Sequence, residues 1–264
     1  MKNIVTRNPV RRALAEGKPS LGTWIQLGHP GVAEILANAG YDWIAADCEH
    51  TEIGIAEFAA LARGMYGRGP LPLVRVREND TLAIRQALDL GAMGVIVPLV
   101  NSAAEAERAV AAAKYPPRGV RGSAYVRANG YGRGFQDYSA NANQDTLVMV
   151  MIESRQAVAD IDAILAVDGV DGTFIGPVDL SASYGVPGQV DHPLVQEARR
   201  AVNAACAHAG KAPGLHLVAP TQAGIRSALD EGFTFIALGM DTVFLDQGAR
   251  EALKLARSAV AAGA

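Results

Sequence analysis

Residues 41–50 read Tyr-Asp-Trp-Ile-Ala-Ala-Asp-Cys-Glu-His, an apolar strand that runs straight into Asp47, Glu49 and His50. Strands of a parallel sheet are buried on both faces and read as nearly continuous hydrophobic runs, so polar residues crowded at a carboxyl end mark a place where ligands bind. Similar apolar runs recur along the chain, and the spacing predicts strands over 20–26, 41–47, 71–76, 92–98, 147–152, 170–175, 211–217 and 233–239. Between them lie helical patterns, for example Val32 to Ala39, Ile55 to Met65, Leu82 to Leu90, Ala103 to Lys114, Ala157 to Val167 and Leu194 to Ala209; Gly40, Gly91 and Gly210 supply stop signals. Strands alternating with helices eight times in about 250 residues define a single-domain (β/α)8 TIM barrel, class α/β. A doubly wound open sheet is the competing arrangement, but no glycine-rich dinucleotide loop follows the first strand.

Composition agrees with a compact enzyme. The chain has 264 residues, long enough for a large core yet within the range of one barrel domain, 1–264. Half the residues are hydrophobic and the net charge is −3, so no electrostatic feature calls for nucleic acid or a membrane surface. No apolar run approaches the roughly 20 residues of a membrane span, and the opening Met-Lys-Asn-Ile-Val-Thr-Arg-Asn-Pro lacks a signal peptide's apolar centre. A cytoplasmic location is expected. Cys48 and Cys206 form no CxxC pair and suggest neither a disulfide framework nor a zinc site; Cys48 reads as a small buried hydrophobe.

A barrel places its chemistry at the carboxyl ends of its strands, which makes the polar strand ends the candidates. The first strand offers Trp24 and Gln26, then His29; the second Asp47, Glu49 and His50; the third Arg75 and Arg77; the fifth Glu153; the sixth leads to Asp179; the seventh carries His216. Two carboxylates from neighbouring strands, Glu153 and Asp179, form the usual minimal protein contribution to a hard divalent cation, and equally could cap the helices that follow them. His208 and His192 fall in or before helices, whereas His29, His50 and His216 all fall at strand ends, so position does not choose among them. Asp47 and Glu49 beside His50 favour it, since a carboxylate holds an imidazole in one tautomer. Arg75, ending a buried strand, needs an anionic partner: a substrate carboxylate or developing enolate, or a salt bridge within the rim. Arg77 points to the opposite face by alternation.

These residues sit within ordered blocks: Leu-Gly-Thr-Trp near the start, the 41–50 stretch, Val-Arg-Val-Arg-Glu-Asn-Asp, Leu-Asp-Leu-Gly-Ala, Tyr-Pro-Pro-Arg-Gly-Val-Arg-Gly, Met-Ile-Glu-Ser, Val-Asp-Gly-Thr-Phe-Ile-Gly-Pro-Val-Asp-Leu-Ser, Gly-Lys-Ala-Pro-Gly and Leu-Gly-Met-Asp-Thr. Over nearly its whole length the chain resembles the HpcH/HpaI aldolases, the metal-dependent class II pyruvate aldolases. The resemblance implies reversible cleavage of a 4-hydroxy-2-oxo acid to pyruvate, or a related 2-oxo acid, and an aldehyde. It implies Glu153 and Asp179 as ligands of a divalent Mg, Mn or Co ion, His50 as the base and Arg75 as the group that stabilises the enolate. It also implies substrate contacts from Trp24 and Met151 and from the backbone of Gly176, Pro177 and Val178, with Val178 the favoured N–H donor because proline has none.

A second aspartate tunes the histidine in that family and aligns with Asp89, which lies at the end of the helix before the fourth strand, the wrong end of the barrel to meet His50 in the same subunit. A homo-oligomer with shared sites follows, consistent with the family's hexamers and exchanged C-terminal helices; Asp47 then orients its loop or binds metal-bound water, and Glu49 has no assigned role. The stretch Arg118 to Tyr138 is too long for an ordinary connection and could reach a neighbour's site. Met151 stands where the family's sugar-acid aldolases carry glutamine, which bears on substrate contacts. Another lyase or decarboxylase of the phosphoenolpyruvate and pyruvate superfamily, or a non-catalytic barrel, are the alternatives; a basic phosphate pocket would mark the first, and the turns after the last two strands offer no obvious one.

Overall fold

A computed structural model describes residues 6–262. Residues 1–5, on which the reading of the opening segment bears, and 263–264 lie outside them. Eight parallel strands close into one barrel in sequence order: β1 Ser20–Ile25, β2 Trp43–Asp47, β3 Leu71–Arg75, β4 Gly94–Val97, β5 Leu147–Ile152, β6 Gly172–Ile175, β7 Ala212–Leu217 and β8 Phe235–Met240. The fold is the expected (β/α)8 barrel, and every predicted strand lies within two residues of an observed one. No helix among the described residues is long and apolar enough to cross a membrane.

The apolar runs make barrel strands because both faces of each strand are buried, and the period of two sorts them. In β2, Trp43 and Ala45 join the interior cluster while Ile44 and Ala46 join the outer layer under the helices. The next inward position is Asp47. The same rule turns Leu73 and Arg75 of β3 inward and Val74 outward. The interior is filled by rings. Trp43 stacks on Phe235 with centroids 4.1 Å apart, Phe235 meets the edge of Phe174 at 5.9 Å, and Phe174 meets Trp24 at 5.5 Å. That column climbs from the first residues of β2 and β8 to the fifth of β1, so it connects the barrel floor to its mouth. Val10 and Leu14 of the helix Pro9–Ala15 close the floor.

The barrel makes room for Trp43 by omitting a side chain opposite it: a Cβ on Gly22 would lie inside the indole ring. The seam between β1 and β8 is irregular at Gly22 and Trp24, and the Thr23 hydroxyl bridges it by donating to the carbonyl oxygens of Leu238 and Gly239.

Two elements depart from the expected pattern. The stretch Ala157 to Val167 forms two short helices, Arg155–Ala159 and Ile161–Ala166. The 118–138 stretch is structured by its own barrel: it carries the turn Arg127–Asn129 and enters the helix Phe135–Asp145. There the Arg127 guanidinium donates to the Leu90 and Ala62 carbonyl oxygens at 2.8 and 3.0 Å, tying the segment to two helix ends beneath the barrel. The last helix, Asp241–Ala262, is fixed only at its start. Asp241 accepts the backbone N–H groups of Gln26 and Leu27, both at 2.9 Å, and beyond it Leu245, Leu253, Leu255 and Val260 are exposed.

Because the interior is close-packed around Trp43, Gly22→Ala is expected to lower stability by about 1–3 kcal/mol, the usual cost of overpacking a core. Urea unfolding checks this through a lower midpoint at an unchanged slope.

Candidate active site

The mouth of the barrel is organised by Asp47. Its side chain is buried, and Arg75 donates to both of its oxygens, Nε to Oδ1 at 2.9 Å and Nη2 to Oδ2 at 2.6 Å. Gln26 Nε2 donates to Oδ2 at 3.2 Å, and the backbone N–H groups of Glu49 and His50 donate to Oδ1 at 3.2 and 3.3 Å. Burial pushes the Asp47 carboxyl up, but Arg75 and the other donors outweigh it and hold the carboxyl below its ordinary value. Asp47 is therefore an ionised anchor that shapes the turn into His50. The Thr51 hydroxyl completes that turn by donating to the Asp47 carbonyl oxygen.

Arg75 lies over the Trp24 ring, 4.8 Å from guanidinium carbon to centroid, a cation–π contact at the top of the aromatic column. Glu49 Oε2 lies 3.4 Å from Arg75 Nε and 3.4 Å from His50 Nε2, yet it is buried and accepts no hydrogen bond. Burial raises the Glu49 carboxyl, with Arg75 opposing and Asp47 and Asp179 adding to the rise. The His50 side chain is 57% exposed at the rim. That leaves the ring open to a substrate.

Glu153 sits just past β5, 4% exposed. Its Oε2 accepts the Leu99 N–H at 3.0 Å, and Leu99 holds that N–H in place from a left-handed backbone, φ 53°. Burial pushes the carboxyl up to about 7, and Glu49 and Asp179 push the same way. Oε1 faces Gly176, where any Cβ would collide with it. Asp179 occupies the first turn of the helix Pro177–Ser183, which begins one residue past β6. Glu49, Glu153 and Asp179 thus form a negative cluster opposed by one guanidinium.

This cluster suits a hard cation. It offers carboxylate oxygens only, one Glu153 oxygen without a protein donor, and a glycine cradle that keeps the space before it open. Among the described residues no three His, Cys, Asp or Glu side chains converge closely enough to hold an ion by themselves. Two protein carboxylates, with water and substrate oxygens for the remaining positions, are the set that fits.

Other sequence candidates are placed as follows. Trp24 and Met151 turn inward and are buried in the interior cluster. The Gly176 N–H donates to the Ile152 carbonyl oxygen at 3.3 Å, so the first-turn amides of Val178 and Asp179 are the remaining backbone donors there. Asp89 ends the helix Thr81–Asp89 at the opposite end of the barrel and pairs at 2.8 Å with the fully buried Arg121. The chain itself does not bring Asp89 to His50. His29 and His192 cap helices through Nδ1, and Arg77 donates to the Cys48 carbonyl oxygen at 3.4 Å. Burial pushes the Cys48 thiol up to about 12, in keeping with an inert hydrophobe. Sequence reading left Glu49 without a role and did not single out Leu99. Continuing the inward alternation Trp43, Ala45, Asp47 by one step reaches Glu49; no sequence signal marks a left-handed leucine.

An eight-stranded barrel with a carboxylate pair and a half-buried arginine at its mouth has the form of a barrel enzyme for an anionic substrate, and the sequence comparisons narrow it. Residues 20–246 match the family model described as HpcH/HpaI aldolase/citrate lyase, and the chain belongs to that family. It is 41% identical over 245 residues to a 4-hydroxy-2-oxo-heptane-1,7-dioate aldolase of Salmonella dublin, covering 92% of each chain. It is 41% identical over 243 residues to a 5-keto-4-deoxy-D-glucarate aldolase of Escherichia coli O139:H28, covering 91% of this chain and 93% of that one. A crystal structure of a family protein from Burkholderia cenocepacia J2315 superposes with a TM-score of 0.90 at 34% identity, covering 95% of this chain and 99% of that one. The chain is accordingly a lyase of the aldolase type, in a family that generally depends on a divalent metal; the superfamily and non-catalytic alternatives are not favoured.

A cation taken up at Glu153 would displace the proton that its raised carboxyl holds, so divalent-ion affinity of such a site is expected to rise with pH up to about 7 and to level off above it. Titration calorimetry in buffers of different ionisation heat checks this by counting the proton released. The same shift gives the metal-free fold a contribution that is fully present below the ordinary carboxylate range and lost as pH rises through about 7.

Proposed function

We propose that this chain, working as one domain over 1–264, cleaves a 4-hydroxy-2-oxo acid reversibly into pyruvate, or a related 2-oxo acid, and an aldehyde. The observation that carries the reading is the mouth itself: Glu153 and Asp179 on one side, Arg75 locked to Asp47 on the other, in a member of an aldolase family. Glu153 and Asp179 hold a divalent cation, Mg, Mn or Co, and when bound it supplies Lewis-acid polarisation of the 2-oxo acid. Arg75 stabilises the negative charge that develops on the substrate's keto oxygen. In cleavage the C4 hydroxyl gives its proton to His50, and the C3–C4 bond breaks with its electron pair passing to the 2-oxo acid fragment. Returning a proton to that carbon completes pyruvate, and synthesis runs the same steps backwards. Trp24, Met151, Gly176, Pro177 and Val178 form the walls around the 2-oxo acid, with the Val178 N–H directed to its carboxylate.

The working unit is a homo-oligomer, a hexamer by the family's habit, in the cytoplasm, with small-molecule substrates and neither nucleic acid nor membrane as partner. Leu245, Leu253 and Val260, spaced on a helix that the barrel holds only at its start, support exchange of Asp241–Ala262 between subunits. Asp89 then serves the His50 of a neighbour, and the 118–138 segment borders that shared site.

Pyruvate release from a panel of 4-hydroxy-2-oxo acids is expected to stop with chelator and with Glu153→Ala, and to fall about 10²- to 10⁴-fold with His50→Ala, the usual worth of a general base. Chelator-insensitive turnover sinks the reading. If the site is shared, mixing inactive His50→Ala and Asp89→Ala proteins under subunit exchange restores part of the activity, because some interfaces then combine two intact residues; activity no greater than that of the separate variants rejects the shared site.

A further inference from the structure

Gln26 takes the inward position that follows Trp24 at the end of β1, and no step described above uses it. The register carries it across the sheet: Ile25 pairs with Ala46 and Asp47 with Arg75, so Gln26, Asp47 and Arg75 stand side by side in one layer at the ends of β1, β2 and β3. An amide, a carboxylate and a guanidinium meet there. Gln26 Nε2 donates to Asp47 Oδ2 at 3.2 Å, and Arg75 Nη2 donates to the same oxygen at 2.6 Å. Behind Gln26, the Thr242 hydroxyl donates to its Oε1 at 2.9 Å, while the Gln26 backbone N–H donates to Asp241 Oδ1 at 2.9 Å. Both ends of the amide are engaged, and the residue is anchored to the first turn of the helix Asp241–Ala262.

The two oxygens of Asp47 are restrained differently. Oδ1 accepts the backbone N–H groups of Glu49 and His50 besides Arg75 Nε. Among the described residues Oδ2 accepts only side chains, those of Gln26 and of Arg75 itself. Arg75 cannot fix the oxygen from which it takes its own position, so Gln26 is the restraint that sets the torsion of the carboxylate. The Trp24 ring, 4.8 Å from the guanidinium carbon, limits the height of the guanidinium above it but leaves it free to turn in its own plane. The bidentate pair removes that turn. Nη1 donates to none of the described residues, and the direction in which it points follows from how Nε and Nη2 are held.

We propose that Gln26 is a positioning residue for Arg75: through Asp47 Oδ2 it fixes the in-plane rotation of the guanidinium, and the Thr242 hydroxyl in turn fixes Gln26. This rests on the aldolase reading and deepens it, because a donor stabilises an oxyanion fully only when its N–H groups already point to the place where charge develops. Losing the restraint removes transition-state stabilisation and leaves the ground-state hold on the 2-oxo acid nearly intact.

The test starts from Gln26→Met, which keeps the length of the side chain and removes both of its hydrogen bonds. In the metal-loaded protein with a 4-hydroxy-2-oxo acid, kcat is expected to fall about five- to tenfold, roughly the worth of one hydrogen bond, with KM changed by less than about twofold. Thr242→Val lowers kcat in the same way, and Thr242→Ser, which keeps the hydroxyl, recovers most of that loss. The double variant Gln26→Met/Thr242→Val is no worse than Gln26→Met alone, since the two residues act in series. In Arg75→Lys protein, which keeps the charge but not the fork, Gln26→Met has little further effect. An equal loss in the wild-type and Arg75→Lys proteins, a loss carried by KM alone, or no loss overturns the proposal and leaves Gln26 as a brace for the loop after β1. Absence of turnover in the wild type speaks against the aldolase reading instead. There, and if Arg75→Lys is too slow to measure, the side-chain nitrogen NMR signal of Arg75 Nε, identified by its loss in Arg75→Lys, decides: a signal displaced by Gln26→Met supports the positioning role, and an unmoved one rejects it.

Discussion

The bidentate pair between Arg75 and Asp47 is the contact on which the mouth of this barrel depends. Both groups are largely out of water, the aspartate 1% and the arginine 14% exposed in their side chains, so each is tolerable only because of the other. Asp47 has no oxygen to spare for proton transfer. What it supplies is shape: with Arg75 on both oxygens and two backbone N–H groups on one, the turn from β2 into His50 is fixed from beneath. Gln26 extends the arrangement, donating to Asp47 while its own oxygen accepts from the Thr242 hydroxyl at 2.9 Å. A continuous set of hydrogen bonds thus links the start of the C-terminal helix to the residue that positions the arginine.

Against this rigid half stands a half that is electrostatically incomplete. Glu49, Glu153 and Asp179 repel one another, and Arg75 is already committed to Asp47. The Glu153 carboxyl, pushed up to about 7, expresses that imbalance directly. The fold nevertheless spends a strained residue on keeping Glu153 where it is: a non-glycine left-handed backbone such as Leu99 costs on the order of 1–3 kcal/mol, and here it delivers one N–H to the carboxylate. Strain held in place to orient a charge that the protein does not itself neutralise is the arrangement expected of a ligand-binding centre.

The sequence disclosed the half of this site that follows from periodicity. A strict alternation places Asp47 and Arg75 inside once Trp43 and Leu73 are inside, and the apolar runs mark all eight strands because barrel strands are buried on both faces. Glu49 obeys the same rule and was legible in principle. Other features were not, for physical reasons. The left-handed turn at Leu99 carries no compositional mark, since glycine is what such turns ordinarily advertise. The docking of 118–138 depends on contacts with distant backbone, Arg127 on Leu90 and Ala62 above all. Which strand-end histidine is buried is a matter of packing that spacing does not encode; His216 and His50 look alike in sequence, yet one faces inward and the other lies at the rim.

The position of Asp89 has a physical logic of its own. Arg121, fully buried, holds its Oδ1 at 2.8 Å while Tyr138 and Tyr115 pack against the guanidinium, the former also accepting from Arg121 at 3.0 Å through its hydroxyl. The aspartate side chain remains 20% exposed, and among the described residues one of its oxygens is engaged. A carboxylate clamped by one oxygen and open at the other is oriented without being satisfied. Within one barrel its nearest end of the sheet is the floor, where no reacting group stands. The same surface logic governs the last helix: Leu245, Leu253 and Val260 face water on a segment that its own barrel grips at its first turn, through Asp241, Thr242 and Phe244. Both features leave surface that the barrel itself does not use: an apolar stripe in water and a carboxylate oxygen without a partner among the described residues.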